Sequence, residues 1–165
     1  MLKPSPLSQY LDVSDPDWQT RACGIIALKM VLDSLNYQTP SADKMIAEGL
    51  KQEAYLPGIG WKHVGLANLA KFYGAQARNY DWLDLSLSEA EKELTKYLGQ
   101  TPILASIFKQ FEPDNPGGHL IVLIGLENNR IIYADPEIKD HNKIICSIKK
   151  EKFLQGWKRR VIVVT

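Results

Sequence analysis

Arg21-Ala22-Cys23-Gly24-Ile25-Ile26-Ala27-Leu28-Lys29-Met30-Val31-Leu32 is the stretch whose reading decides the fold. From Cys23 to Leu35 the apolar residues Ile25, Ile26, Leu28, Met30, Val31, Leu32 and Leu35 surround most of a helical wheel, leaving a narrow polar stripe of Lys29, Asp33 and Asn36. A helix apolar on nearly every side lies inside a domain rather than on its surface. Cys23 stands at its head. A cysteine in a first helical turn faces unpaired backbone N–H groups and the positive end of the macrodipole, both of which favour the thiolate.

Downstream the pattern first stays helical. A second helix is expected after Thr39-Pro40, with Thr39 as cap and Pro40 in the first helical position. Val64, Leu66, Leu69, Ala70 and Tyr73 predict a third, ended by Gly74, and Ser88–Leu98 a fourth, with Ser88 and Glu91 as a capping box and Gly99 as its stop. The chain then turns β-like. Ile103–Phe108, His119–Ile124, Arg130–Ala134, Lys143–Ile148 and Arg160–Val164 are short apolar runs separated by turn residues. Helices first and strands second predict an α+β fold, N-terminal helices packed on a C-terminal antiparallel sheet. Residues 1–17, rich in Pro, Ser and Asp, are expected to form an extended arm, and 18–165 a single domain without internal repeats.

Composition narrows the function. The 165 residues carry a net charge of +1 with scattered lysines, which points away from nucleic acid and from an electrostatic membrane anchor. The densest basic run, Lys149 to Arg160, is broken by Glu151, Phe153, Leu154 and Trp157 and reads as a solvated helix face. No signal-like or membrane-spanning apolar run is present, so a cytoplasmic protein is expected. Two cysteines, Cys23 and Cys146, cannot build a disulfide framework; a single bridge between them is the alternative to two free thiols.

Three distant residues fit one chemistry. Gly117-Gly118-His119 opens a strand apolar on both faces, Leu120 to Ile124, and Asp135-Pro136 closes the next. Cys23 as nucleophile, His119 as its base and Asp135 as the group orienting the imidazole would meet the needs of thiol hydrolysis. The Cys23 N–H, with Gln19 as the nearest upstream side-chain amide, supplies candidate oxyanion donors, and Gly24 is expected to let a substrate backbone approach. A five-residue loop, Gly125–Asn129, sets His119 opposite Asp135. A tight Asn128-Asn129 turn instead sets Asp135 opposite Val122, about 10 Å along the strand, so the triad demands the longer loop.

Each member also has an ordinary role. Buried cysteines are commonly small hydrophobes, glycine-flanked histidines structural, and Asp-Pro pairs turn formers. Their combination carries the reading. Without C-x-x-C or H-x-x-x-H spacing no metal is expected, and no cofactor. Cys146 reads as a half-buried strand residue, His63 as packed or cleft-lining, His141 as a turn residue, and Trp18 and Trp61 as core or cleft wall.

Arg21-Ala22-Cys23-Gly24 with Ala27 to Leu32, and Gly118-His119-Leu120-Ile121-Val122-Leu123-Ile124-Gly125 ending in Asp135-Pro136, resemble the C39-like branch of the papain-like cysteine peptidases. Gly65-Leu66 through Tyr73-Gly74 is similar to the helix that packs beside the nucleophile helix in that family. The resemblance implies a papain-like fold, Cys23 as nucleophile, His119 as general base and acid, Asp135 as orienting residue, and a peptide or protein substrate. In the family the oxyanion glutamine lies further upstream of the cysteine than Gln19 does, and proline often follows the Cys-Gly pair where Ile25 stands here. Relatives that trim leader peptides are often fused to a transporter, and no transporter domain is expected in this chain. A cysteine peptidase working through an acyl-enzyme is therefore expected. The alternatives are a transglutaminase-like acyl transferase and an inactive peptide-binding module of the same fold.

Overall fold

The computed structural model describes residues 4–165; Met1–Lys3 of the expected arm lie outside the described residues. Residues 4–15 contain no helix or strand, although Ser8, Gln9 and Val13 are buried. The helices α1 (Pro16–Gln19), α2 (Cys23–Ser34) and α3 (Ala42–Lys51) follow. A two-stranded hairpin, β1 (Tyr55–Leu56) and β2 (Gly60–Trp61), leads into α4 (His63–Phe72), β3 (Ala77–Asp81) and α5 (Leu87–Leu98). The rest is β4 (Ile103–Phe108), β5 (Gly118–Glu127), β6 (Arg130–Ala134), β7 (Ile145–Lys149), α6 (Lys150–Gly156) and β8 (Trp157–Val164).

Six strands form one antiparallel sheet in the order β3-β8-β4-β5-β6-β7. Helix α2 lies on one face over β5, and Ile25, Ile26, Leu28, Met30 and Leu32 are fully enclosed there with Leu104, Leu120 and Val122. At about 1.5–3 kcal/mol for each large aliphatic side chain withdrawn from water, this helix is the main apolar anchor of that layer. The other face is covered as well. Ala90 and Leu94 of α5 and Phe153 of α6 pack with Ile103, Ile121 and Leu123, so β4 and β5 are buried on both sides. That explains their nearly continuous apolar sequence, into which Ser106 and His119 are set.

Several boundaries differ from the sequence reading. Ser41, not Thr39, caps α3, because its side chain accepts the Lys44 N–H. The capping box of α5 is Ser86 with Glu89, two residues earlier than expected. The basic run splits into α6, which buries Phe153, and the start of β8.

The β5–β6 connection is the consequential correction. Glu127 pairs with Arg130, leaving Asn128 and Asn129 as a two-residue turn in which both have positive φ (48° and 59°). That geometry matches the twist of the flanking strands, and asparagine tolerates it. The five-residue loop does not form. Instead the register shifts between Leu123 and Gly125, and Val122 pairs with Ala134. This bulge at Ile124 recovers one residue of offset. Continuing the register sets Asp135 beside Ile121, two residues from His119 and therefore on the same face, a diagonal relation that side chains can span.

Candidate active site

A cleft of about 510 Å³ opens where β5 begins, lined by residues of the α2 start, the β1–β2 hairpin, α4, β4, β5 and β8. Cys23 and His119 share it. Cys23 is the first residue of α2, with Ala22 as a cap lacking any side-chain hydrogen bond. Its own N–H therefore has no acceptor within the helix. Both cysteines are free.

His119 Nε2 lies 2.7 Å from Asp135 Oδ1, the two side chains being 4% and 20% exposed. The same carboxylate oxygen accepts the Glu137 N–H at 2.9 Å, so one turn fixes the carboxylate and the carboxylate fixes the ring. Nδ1 is the ring nitrogen left for the thiol. Burial pulls the imidazole's pKa down, but hydrogen bonds to Asp135 and Cys23, together with their negative charge, outweigh it and push the value up to about 10. Burial alone would raise the Asp135 carboxyl; the His119 hydrogen bond and charge, the Glu137 N–H and Lys109 bring it below the usual carboxylate value. Lys109 is itself paired with Glu137 at 3.1 Å.

The structure thus brings Cys23, His119 and Asp135 to one place, and it leaves Gln19 outside the set lining the cleft. Gln19 Nε2 donates to the Val13 carbonyl at 2.9 Å. A different glutamine, also outside the cleft lining, is tied to the Asp135-Pro136 segment. Gln9 is 1% exposed, its backbone N–H donates to the Pro136 carbonyl at 2.8 Å, and its buried side-chain oxygen has no partner among the described residues. A buried amide with an unmade hydrogen bond forfeits about 1–3 kcal/mol, which singles Gln9 out. Its only sequence signal was a polar amide far upstream of Cys23.

Gly24 serves packing rather than substrate approach. A Cβ there would lie 3.0 Å from Trp61 Cβ, Trp61 Cγ and Leu66 Cδ1. Trp61 lines the cleft, donates from Nε1 to the Arg21 carbonyl at 2.8 Å, and packs with Trp18 and Tyr55 at ring separations of 5.8 and 5.1 Å. His63 also lines the cleft; burial, then Arg160 and Lys158, lower its pKa against the opposing pull of Asp81. Cys146 lies apart on β7, where burial pushes its thiol up.

Among the described residues no helix is long and apolar enough to cross a membrane. The chain is similar in structure to the peptidase domain of Streptococcus ComA, a bifunctional ABC transporter involved in a quorum-sensing pathway. The TM-score is 0.67 at 21% identity, covering 100% of this chain and 98% of that one. A double-glycine-motif protease from an AMS/PCAT transporter, solved with the leader peptide, gives 0.61 at 19%, covering 99% and 98%. A Bacillus anthracis protein described as a C39-like peptidase gives 0.68 at 19%, covering 97% and 93%. These likenesses establish an α+β cysteine peptidase-type fold. No curated protein matches the chain. The model of the Peptidase_C39 like family matches residues 2–163, and the chain belongs to that family.

Proposed function

We propose that the chain is an active cysteine peptidase in which Cys23, His119 and Asp135 form the catalytic triad and an acyl-enzyme is the intermediate. The observation that carries the reading is the 2.7 Å contact between His119 and Asp135 at the mouth of a cleft headed by Cys23. An imidazole that holds its proton up to about pH 10 beside a thiol is the partner of a thiolate.

The Cys23 thiolate attacks the scissile carbonyl carbon and the carbonyl electron pair moves to oxygen. The Cys23 N–H and the Gln9 side-chain amide, rather than Gln19, donate to that oxyanion. As the C–N bond breaks, the His119 proton passes to the leaving amine, and a thioester remains. Neutral His119 then takes a proton from water, whose oxygen adds to the thioester. Collapse releases the carboxylic acid and restores the thiolate–imidazolium pair. Asp135 holds the ring so that Nδ1 faces the sulfur. The substrate is a peptide or protein, and two free thiols suit a reducing, cytoplasmic setting.

Hydrolysis of a fluorogenic peptide library by the native chain and its absence in Cys23→Ala test the reading. Equal turnover by Cys23→Ala would overturn it. Analysing products with added amine separates hydrolysis from acyl transfer, and failure of the native chain to turn over any peptide would mark a binding module.

A further inference from the structure

Basic side chains crowd the cleft. Arg21, His63, His119, Lys158 and Arg160 line it, and no aspartate or glutamate does. Two of these cations are engaged elsewhere. The Arg21 guanidinium lies 4.5 Å from the Trp18 ring centroid while its Nε donates to the Asp17 carbonyl, and Arg160 Nε donates to Asp81 Oδ2 at 2.8 Å. His119 belongs to Asp135. Lys158 differs from all of them: its Nζ lies 4.9 Å from the Phe108 ring centroid, and among the described residues it forms no salt bridge.

A backbone irregularity puts it there. On β4, Ser106 pairs with Arg160 and the next residue, Ile107, with Trp157, so Lys158 and Arg159 are extruded from the ladder, Arg159 with a φ of 54°. Arg159 turns away and donates to the Leu85 carbonyl. Lys158 turns to the cleft. A Cβ at Gly118 would lie 3.1 Å from Lys158 Nζ, so the ammonium rests over the backbone immediately before His119, and glycine at 118 leaves it room.

We infer that Lys158, backed by Arg160, selects substrates bearing a carboxylate close to the bond presented to Cys23. The inference names the substrate class of the proposed peptidase site and so rests on that reading. A half-buried ammonium without a counter-ion, among other cations, is incompletely solvated, and its proton affinity is lowered by burial and by Arg160. A substrate carboxylate supplies the missing charge and accepts a charge-assisted hydrogen bond, an interaction on the order of ten- to a hundredfold in discrimination where solvent is partly excluded. The carboxylate comes either from an Asp or Glu side chain or from a peptide's own C-terminus.

The test has two arms. The first needs no turnover: the rates at which iodoacetate (anionic) and iodoacetamide (neutral) alkylate Cys23 are compared in the native chain, in Lys158→Gln, and in Lys44→Gln as a distant charge control. The iodoacetate-to-iodoacetamide ratio is expected to fall about tenfold in Lys158→Gln and to stay put in Lys44→Gln. An unchanged ratio in a Lys158→Gln variant with a native thermal melt overturns the inference, and if that variant unfolds, Lys158→Met, which keeps the aliphatic stem beside Phe108, takes its place with the same criterion. The second arm scans one glutamate against glutamine through a fluorogenic peptide, and a free C-terminus against an amide. A tenfold or greater preference for either acidic form, lost in Lys158→Gln, supports the inference and identifies the source; turnover indifferent to both overturns it. If no peptide is cleaved, the peptidase reading fails and the alkylation ratio alone decides.

Discussion

His119 and Asp135 touch at 2.7 Å without being cross-strand partners. Their contact depends on a bulge that converts an offset of three residues with opposite facing into an offset of two with the same facing. The Asp135 carboxylate is thus held by sheet register at one end and by the Asp135–Glu137 turn at the other.

Asp135→Asn keeps the shape of the contact and removes its charge. In the proposed mechanism the imidazolium loses its principal partner, and kcat is expected to fall on the order of 10²–10⁴-fold. The alkaline limb of the kcat/KM pH profile should move to lower pH, because the carboxylate that raises the His119 pKa is gone. A profile that keeps its alkaline limb would mean that Asp135 only shapes the turn.

Stability should bend with pH at both ends. His119 binds its proton more tightly folded than unfolded, so its contribution is complete below about pH 6.5, the unfolded value, and disappears as pH rises to about 10. Asp135 works in the opposite sense: its contribution is present above about pH 3.9, the unfolded value, and is lost as pH falls through its lowered folded value. Thermal melts of native and His119→Gln chains from pH 3 to 10 check this; the alkaline decline should be shallower in the variant.

Gln9 and Gln19 separate cleanly by measurement. Gln9→Ala is expected to lower kcat by roughly 10²–10³-fold, the cost of one oxyanion donor. Gln19→Ala removes a hydrogen bond to the Val13 carbonyl, costing about 0.5–1.5 kcal/mol of stability with kcat retained. The reverse pattern would return the role to Gln19.

Gly24→Ala should destabilise the fold by about 1–3 kcal/mol, since the new methyl meets Trp61 and Leu66 in a filled layer. A depressed denaturation midpoint with unchanged denaturant dependence is the expected signature.

The turn offers a gain instead of a loss. Asn128 and Asn129 both hold positive φ, so Asn129→Gly should be neutral or stabilising, whereas Asn128→Val should cost roughly 1–2 kcal/mol. Melting temperatures of the two variants decide it.

The parts of the fold that burial dictates were legible in the sequence. The start of α2 at Cys23 and the full extents of β4 and β6 coincide with the expected residues because apolar runs and their breakers mark them. β3 was not legible. Its residues Ala77-Arg78-Asn79-Tyr80-Asp81 form a half-exposed edge strand without apolar alternation, recruited by pairing with β8. The bulges at Ile124 and Lys158-Arg159 left no local mark either, since each is a negotiation of register between strands. Hence the sequence named Cys23, His119 and Asp135 but misjudged the loop that joins two of them. Gln9 and Lys158 became visible only once their burial and neighbours were known.

The most direct measurement is labelling the native chain at pH 6 with an electrophilic peptide probe, followed by mass mapping. The triad predicts modification at Cys23 far faster than an ordinary thiol of pKa about 8.5 reacts at that pH, slowed in His119→Gln and absent in Cys23→Ala. Labelling at Cys146, or at Cys23 with the rate of a free cysteine and no dependence on His119, would contradict it.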